Sequence, residues 1–275
     1  MITAGVDLGT RYVKVCVVED GRVLGSDVRE LAGAFRDVVR ASEKAALEAA
    51  GIFGFQVRRK AVTGFGAASA GRALSRAGHV LDEAACAARA VSVLSPGART
   101  VIDGGALFVR SSALSPDGHV TDRAVTEKCA AGSGRFLEMI AGSLRVPLEE
   151  VSDVAAAAVT PYRMSNSCAV FAESEVISRV NLGVPGPELL AGILVAIAEK
   201  ALTLATRSDS GPPVVVVGGL GHIPAFTRAL GDVLGHPVSV IPMDPQLAVA
   251  YGAALIAAQS AAPPARVQAQ ERRGL

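Results

Sequence analysis

The amino-acid sequence predicts an α/β protein made of two related halves. Short runs rich in valine and other apolar residues alternate with longer segments that carry helical periodicity. An apolar strand that ends in an Asp-x-Gly turn occurs twice, at residues 7–9 and 103–105, and an Asp-Gly turn follows 13 or 14 residues after the first aspartate. Internal similarity of this kind indicates duplication, although a repeat this short is also compatible with coincidence.

The composition narrows the class of protein. The 275 residues carry a formal net charge of +1, which gives no support for a nucleic-acid binder. Half of the residues are hydrophobic, so the chain is too apolar to be disordered. The longest apolar runs, 189–198 and 247–258, are shorter than the roughly 18 to 20 residues of a membrane span. Residues 1–18 lack the pattern of a signal peptide. We therefore expect a cytoplasmic protein without a membrane partner.

The first half is predicted to open with a hairpin. Asp20-Gly21 is a strong turn signal between two β-branched runs, and the spacing of Leu31, Phe35 and Val38 is typical of one helix face. These patterns predict strands at 4–7, 12–18, 22–24 and 57–63, and helices at 29–50 and 82–90. Ser95-Pro96-Gly97 interrupts the pattern, and we place a domain boundary between residues 97 and 98.

The second half, residues 98–259, is predicted to be more helical. Pro187 lies near the start of the longest helical pattern, where its missing N–H is tolerated, and Pro212-Pro213 ends it. The patterns predict strands at 100–103, 107–110, 214–217 and 238–241, and helices at 133–144, 170–180, 187–206, 223–234 and 247–258. Residues 260–275 lack periodicity and are predicted to form a disordered tail.

The first Asp-x-Gly turn has the chemistry of a phosphate loop. The absence of a side chain at Gly9 lets the backbone approach a phosphate closely, and Thr10 continues the turn. Asp7 could hold Mg²⁺ through water, and Lys14 on the return strand could neutralise phosphate charge. Taken alone, the motif is weak evidence, and an ordinary turn without a ligand is the preferred interpretation.

Two further glycine turns strengthen the phosphate hypothesis. Asp103-Gly104-Gly105 repeats the first motif, and two such hairpins facing each other would clamp a polyphosphate between two carboxylates. Gly218-Gly219 follows a run of four valines and precedes a helix, which is typical of a nucleoside- or phosphate-binding turn. Each motif is common, but the ordered set of three is not.

Two of the four cysteines are candidate metal ligands. Cys129 and Cys168 each directly precede a predicted helix, whose N-terminus would stabilise a thiolate or an anionic cluster. Two cysteines are half of the usual complement for an iron–sulfur cluster, so a second chain would have to supply the others. On spacing alone, two small buried cysteines are at least as good an interpretation. Cys16 and Cys86 are predicted core residues, and the four histidines are predicted turn or surface residues.

The motifs together resemble the BadF/BadG/BcrA/BcrD ATPase family, from about residue 2 to residue 257. The matching stretches are Asp7-Leu8-Gly9-Thr10, Asp103-Gly104-Gly105, the segment 128–137 around Cys129 and the segment 168–177 around Cys168. The resemblance implies the fold of actin, sugar kinases and heat-shock ATPases, with two duplicated ribonuclease H-like α/β domains and a nucleotide cleft between them. It implies ATP and Mg²⁺ as cofactors.

The resemblance also implies a redox role. Two protomers of the family share one [4Fe-4S] cluster, which makes Cys129 and Cys168 its expected ligands in this chain. ATP hydrolysis then drives a low-potential electron from the cluster, with reduced ferredoxin or flavodoxin as donor, to a 2-hydroxyacyl-CoA dehydratase or a benzoyl-CoA reductase. Asp7 and Asp103 become the expected catalytic residues, and the ATP-binding set is Gly9, Thr10, Lys14, Gly104, Gly105, Gly218 and Gly219.

The second loop departs from the pattern of homodimeric activators. Those proteins typically read Asp-Ile-Gly-Gly-Gln-Asp, whereas this chain has Ala106-Leu107-Phe108 after Gly105. The sequence is similar there to the D-type ATPase subunit of ATP-dependent benzoyl-CoA reductase, which works beside a related, non-identical ATPase subunit. Three alternatives remain: a homodimeric dehydratase activator, a non-catalytic nucleotide-binding regulator and, ranked last, a small-molecule kinase of the same fold.

Overall fold

The computed structural model describes residues 1–67, 80–126, 132–164 and 169–259. Its strands are β1 (Ile2–Leu8), β2 (Tyr12–Glu19), β3 (Arg22–Glu30), β4 (Arg59–Thr63), β5 (Thr100–Gly104), β6 (Val109–Leu114), β7 (Val120–Val125), β8 (Val214–Val217) and β9 (Val238–Val240). Its helices are α1 (Phe35–Ala49), α2 (Glu83–Leu94), α3 (Gly134–Ser143), α4 (Val151–Ala156), α5 (Ala169–Asn181), α6 (Gly186–Arg207), α7 (Pro224–Leu234) and α8 (Ala248–Gln259).

The strands form two sheets of the same design. The first sheet has the order β3-β2-β1-β4 and the second has the order β7-β6-β5-β8-β9. In each sheet a central strand is antiparallel to the strand that follows it and parallel to a later one: β1 pairs with β2 and β4, and β5 pairs with β6 and β8. The short sequence repeat therefore lies at equivalent places in two similar sheets.

Helices α2 and α8 pack between the two sheets. Helix α8, the last described element, contacts β1, β2 and β4 of the first sheet, and α2 contacts β5, β6 and β7 of the second. One apolar cluster accordingly joins side chains of both sheets, including Val18 and Ala61 from the first and Val101 and Val215 from the second. The many alanines of the sequence allow these helices to approach closely. The boundary predicted after residue 97 stays a prediction.

Close contacts at two glycines fix the position of α8. A Cβ atom at Gly5 in β1 would lie 1.9 Å from the carbonyl oxygen of Ala250, and one at Gly252 would lie 1.8 Å from that of Cys86 in α2. Both distances are far below van der Waals contact, and backbone rather than a flexible side chain would have to move. The glycines therefore permit a three-layer contact between β1, α8 and α2.

Replacing Gly252 with alanine is expected to lower the free energy of unfolding by about 2–3 kcal/mol, because the added methyl overpacks this contact. Urea unfolding followed by circular dichroism measures the effect. Gly142→Ala is the matched control: Gly142 lies in α3 with no atom within 4 Å of an added Cβ. That substitution is expected to stabilise the protein by about 0.5–1 kcal/mol through helix propensity. Equal effects of the two substitutions would contradict the packing argument.

The core of the second half surrounds α6. This helix buries ten residues, among them Leu189, Ile193, Ile197 and Leu204. Its length and apolar composition match those of a membrane span, but 56% of the relevant window is buried inside the protein. The prediction of a buried helix here is confirmed.

Two sequence predictions about elements are wrong. The helix predicted from Arg29 begins at Phe35, because β3 extends to Glu30 through its pairing with Tyr12 of β2. The strand predicted from Leu107 begins at Val109, because a hydrogen bond from the Gly105 N–H to the Phe108 carbonyl holds a loop there. In both cases, hydrogen bonding to a neighbouring segment overrides the local pattern. Strand β7 and the short helix α4 were not predicted.

Candidate functional site

A cleft of about 460 Å³ lies where the two hairpins face each other. Every non-cysteine residue that the sequence suggested for a phosphate site lines it. These residues are Asp7, Gly9, Thr10, Lys14, Asp103, Gly104, Gly105, Gly218 and Gly219. Segments more than 200 residues apart in the chain thus meet at one cavity, between the turn that follows β1 and the turn that follows β8.

The first hairpin presents a buried ion pair. Asp7 of β1 is directly opposite Lys14 of β2, and Lys14 Nζ donates to Asp7 Oδ2 at 2.8 Å. The side chains of Asp7 and Lys14 are 6% and 14% exposed. The Gly9 N–H donates to the Tyr12 carbonyl at 3.0 Å and closes the turn. Asp7 Oδ1 is buried and has no hydrogen-bond partner among the described residues, so it retains its capacity to accept.

The second hairpin repeats this arrangement with arginine in place of lysine. Asp103 of β5 is opposite Arg110 of β6, and Arg110 Nη1 donates to Asp103 Oδ2 at 3.2 Å. Sequence reasoning singled out Lys14 but missed Arg110. The signal was present, because the cation follows the aspartate by seven positions in both hairpins.

A glycine packs against each aspartate from the neighbouring parallel strand. Gly64 follows β4 with φ +96°, and Gly218 follows β8 with φ +82°. An added Cβ atom would lie 2.5 Å from Asp7 Oδ1 at Gly64 and 2.6 Å from Asp103 Oδ1 at Gly218. Both positions therefore require glycine for backbone conformation and for space. Gly64 was not among the predicted site residues.

Glu83 of α2 pairs with the cation of the second hairpin, within electrostatic reach of the first. It is the first residue of α2, whose N-cap Asp82 accepts from the Ala85 N–H. Its carboxylate accepts from Arg110 Nη2 at 2.6 Å. Burial, opposed in part by Arg110 and reinforced by the nearby Asp7 and Asp103, raises the pKa of Glu83 to about 7. Sequence reasoning missed Glu83, since no pattern in the sequence links a helix start near residue 83 to either hairpin.

Burial also raises the pKa of the Asp103 carboxyl, against the opposing effect of Arg110. The cleft thus holds three carboxylates and two cations: Lys14 pairs with Asp7, and Arg110 pairs with both Glu83 and Asp103. Added positive charge, such as a divalent cation, would stabilise the ionised form of these carboxylates.

The donor set suits a hydrated Mg²⁺ ion better than a cation enclosed by protein ligands. In the described part of the chain, no group of three or more His, Cys, Asp or Glu side chains is arranged to hold a metal ion. The unpartnered Asp7 Oδ1 is nevertheless a free oxygen ligand at the phosphate turns. Mg²⁺ characteristically takes one or two carboxylates and completes its shell with water and substrate phosphate.

Apolar side chains also line the cleft. Leu137, Leu220, Ile223 and Val249 line it together with the polar residues Glu149, His222 and Gln246. His222, predicted to be a turn or surface residue, is 48% exposed, and its Nε2 lies 2.9 Å from Asp244 Oδ1. Such a lining suits a flat, mostly apolar group with polar edges.

The four cysteines divide into two pairs. Cys16 and Cys86 are buried, and burial raises the pKa of each thiol to about 12, which confirms the prediction that they are core residues. Cys129 and Cys168, the predicted cluster ligands, lie outside the described residues. Residues close to both of them in the chain are described: α3 begins five residues after Cys129, and α5 begins directly after Cys168.

Comparison with known proteins gives one consistent family. A model of the BadF/BadG/BcrA/BcrD ATPase family matches residues 4–257. The chain is 33% identical over 262 residues to an activator of lactoyl-CoA dehydratase from Anaerotignum propionicum, covering 95% of this chain and 99% of that protein. It is 34% identical over 240 residues to the D-type subunit of benzoyl-CoA reductase from Thauera aromatica, covering 84% of this chain and 82% of that protein.

A solved structure agrees with the family match. The activator of 2-hydroxyisocaproyl-CoA dehydratase from Clostridium difficile, with bound ADPNP, superposes with a TM-score of 0.87 at 29% identity and 94% coverage of both chains. The fold is therefore that of actin, sugar kinases and heat-shock ATPases, as the resemblance implied. From the family match and these relatives, we conclude that the chain belongs to the BadF/BadG/BcrA/BcrD ATPase family.

Proposed function

We propose that this protein is an ATP-hydrolysing, electron-activating subunit that works with an acyl-CoA reductase or dehydratase. The observation that carries the proposal is the pair of matched hairpins, Asp7 with Lys14 and Asp103 with Arg110, facing each other across one cleft. Glycine turns at the same cleft carry no side chains, so phosphate can approach their backbone closely. ATP with Mg²⁺ is the ligand that this charge pattern suits.

Each side chain has a distinct role in this proposal. Lys14 and Arg110 offset phosphate charge and orient their aspartates. Asp7, through Oδ1, and Asp103 would hold the hydrated Mg²⁺, which when bound would stabilise charge that develops on the transferring phosphate. Glu83, whose pKa is raised to about 7, would orient the attacking water and accept its proton. The apolar lining that includes Leu220 and Ile223 would hold the adenine base.

The redox part of the proposal concerns Cys129 and Cys168. We propose that they give two ligands to a [4Fe-4S] cluster and that a second subunit gives the other two. Exposed apolar side chains support a subunit contact close to Cys168: Phe171, Ile177 and Val180 on α5 are 63%, 51% and 45% exposed. Ile177 and Val180, three positions apart, lie on one face of the helix, and exposed apolar residues grouped in this way are typical of an interface.

Two observations favour different partners. The second loop carries Ala106, Leu107 and Phe108 at the cleft, which favours a D-type subunit of a benzoyl-CoA reductase beside a related ATPase subunit. The near-complete coverage of the lactoyl-CoA dehydratase activator favours the second candidate, a homodimeric activator. In either case we propose a cytoplasmic protein that takes electrons from reduced ferredoxin or flavodoxin and has no membrane or nucleic-acid partner.

Anaerobic reconstitution with iron and sulfide tests the redox role. A [4Fe-4S] signal in electron paramagnetic resonance after reduction is expected, and Cys129→Ser or Cys168→Ser is expected to abolish it. Cys16→Ala and Cys86→Ala are the matched controls, because both thiols are buried and their variants are expected to leave the cluster intact. A cluster in the protein alone indicates a homodimeric activator, and one that forms only with a related ATPase subunit indicates the D-type subunit.

The same preparations separate the redox role from ATP hydrolysis. No cluster under either condition, together with Mg²⁺-dependent ATP hydrolysis, would contradict the electron-activating role and leave an ATPase with another output. Nucleotide binding without hydrolysis would instead support a non-catalytic regulator of the same fold.

A further inference from the structure

An arginine joins the two halves of the protein at the mouth of the cleft. Arg11, in the turn between β1 and β2, forms an ion pair with Glu138 of α3, 127 positions later in the chain. Glu30, at the end of β3, lies 3.2 Å from the same guanidinium. The side chains of Arg11 and Glu138 are 22% and 24% exposed, so solvent screens their pair less than it screens a surface pair.

Helix α3 is also attached to the second hairpin. The Gly134 N–H donates to the Gly105 carbonyl at 3.0 Å, and the Arg135 N–H donates to the Ala106 carbonyl at 2.8 Å. The start of α3 is thus held by the second phosphate turn through backbone bonds, whereas Glu138, about one turn further on, is held by the first phosphate turn through a side chain. Any change at Arg11 therefore alters only one of the two attachments of α3.

The far end of α3 contacts the next helix. Ser143 Oγ donates to Glu173 Oε1 of α5 at 3.2 Å, and α3 packs against α5. Since α5 begins directly after Cys168 and α3 follows Cys129 by five residues, α3 connects the phosphate turns with the neighbours of both cysteines in the chain.

The two hairpins differ at the position of Arg11. Arg11 follows Asp7 by four residues, and the residue four after Asp103 is Leu107. The first turn therefore carries a cation that the duplicated turn lacks. Arg11 Nε is buried and has no hydrogen-bond partner in the described part of the chain, so the guanidinium keeps unused donor capacity while it lines the cleft.

We propose that Arg11 is a nucleotide-sensing positioning residue: phosphate bound between the hairpins draws the Arg11 guanidinium away from Glu138 and so changes how α3 is held. The inference rests on the proposed function only in requiring that the cleft binds a nucleoside triphosphate. Arg11 contacts Glu138 through one nitrogen and Glu30 through another, whereas phosphate can accept two hydrogen bonds from the same guanidinium in a bidentate manner. The two states therefore differ in the anion that Arg11 contacts: Glu138 without nucleotide, and phosphate with nucleotide.

Hydrogen–deuterium exchange of the full-length protein, with and without a non-hydrolysable ATP analogue, tests the proposal. In the wild type, the analogue is expected to change the exchange rate of peptides spanning 134–144 roughly fivefold or more. Arg11→Gln and Glu138→Gln are expected to give α3 the exchange rate of the nucleotide-bound wild type already without nucleotide, and to abolish its response. Protection of peptides spanning 101–110 reports binding of the analogue in the same samples.

Arg29→Gln is the matched control. Arg29 forms its ion pair with Asp27 on its own strand and does not line the cleft, so its variant is expected to respond like the wild type. An Arg11→Gln protein that binds the analogue and still shows the wild-type response in α3 would overturn the inference and leave the proposed function intact. No protection at 101–110 in the wild type would overturn both. Hydrolysis has no influence on this readout because the analogue is not hydrolysed, and all variants are compared in the same cluster-free state.

Discussion

Asp7→Asn is expected to lower Mg²⁺-dependent ATP hydrolysis roughly 10³-fold, because the loss of several kcal/mol of electrostatic stabilisation corresponds to that factor. The substitution keeps the shape of the side chain but removes the charge that pairs with Lys14 and that we propose holds Mg²⁺. Hydrolysis rates at saturating ATP and increasing Mg²⁺ measure the effect. A rate within tenfold of the wild type would show that Asp7 does not hold the metal.

A double substitution separates the catalytic role of Asp7 from its structural role. Asp7→Ala leaves a nearly buried Lys14 ammonium without its partner and is expected to destabilise the protein by about 3 kcal/mol. Adding Lys14→Met removes the uncompensated charge and is expected to restore most of this stability. Activity is not expected to return, since neither the carboxylate nor the phosphate-neutralising cation is present. Recovery of hydrolysis in the double variant would contradict the assignment of both residues.

Glu83→Gln is expected to lower the rate of ATP hydrolysis by roughly 10²- to 10⁴-fold, the range that a positioned general base contributes. Only the ionised carboxylate accepts a proton, so the wild-type rate should rise tenfold per pH unit below about 7 and level off above it. The residual rate of the variant should not follow this profile. A wild-type rate that is independent of pH between 5.5 and 8 would exclude Glu83 as the base.

The Glu83 carboxyl should also make the free energy of unfolding depend on pH. Whereas the hydrolysis rate rises as Glu83 ionises, the stability of the protein falls. Its pKa of about 7 in the folded protein exceeds the ordinary value of 4.5, so the contribution of Glu83 is fully present below pH 4.5 and is lost as pH rises through 7. The advantage of Glu83→Gln in unfolding free energy should therefore grow by about 2–3 kcal/mol between pH 5 and pH 8. Urea unfolding at the two pH values measures this. A constant difference would mean that Arg110 keeps Glu83 ionised throughout.

The phosphate turns were predictable because their chemistry is local. Asp7 and Lys14 lie in one hairpin, as do Asp103 and the missed Arg110, so each pair is encoded by a spacing of seven positions. A strand that pairs with its direct successor brings such residues together whatever the remainder of the chain does. The family resemblance added ATP and Mg²⁺, and it suggested the cluster-ligand roles of Cys129 and Cys168 that spacing alone left open.

The ends of helices and strands were predictable only where no hydrogen bonds from a neighbouring strand changed them. The helix predicted from Arg29 begins instead at Phe35, because residues 29 and 30 complete the pairing of β3 with β2. Local periodicity could not reveal this, since the competing hydrogen bonds come from residues 12 and 13 in another strand.

The sequence by itself therefore determined the α/β class and the two aspartate turns with their own glycines, Gly9, Gly104 and Gly105, because each depends on residues close together in the chain. Only the tertiary structure decided that Glu83 pairs with Arg110 and that Arg11 pairs with Glu138 across the cleft. The partners in these contacts are 27 and 127 positions apart, and they meet because two sheets face each other around α2 and α8. Burial then gives Glu83 a pKa that no local sequence pattern encodes.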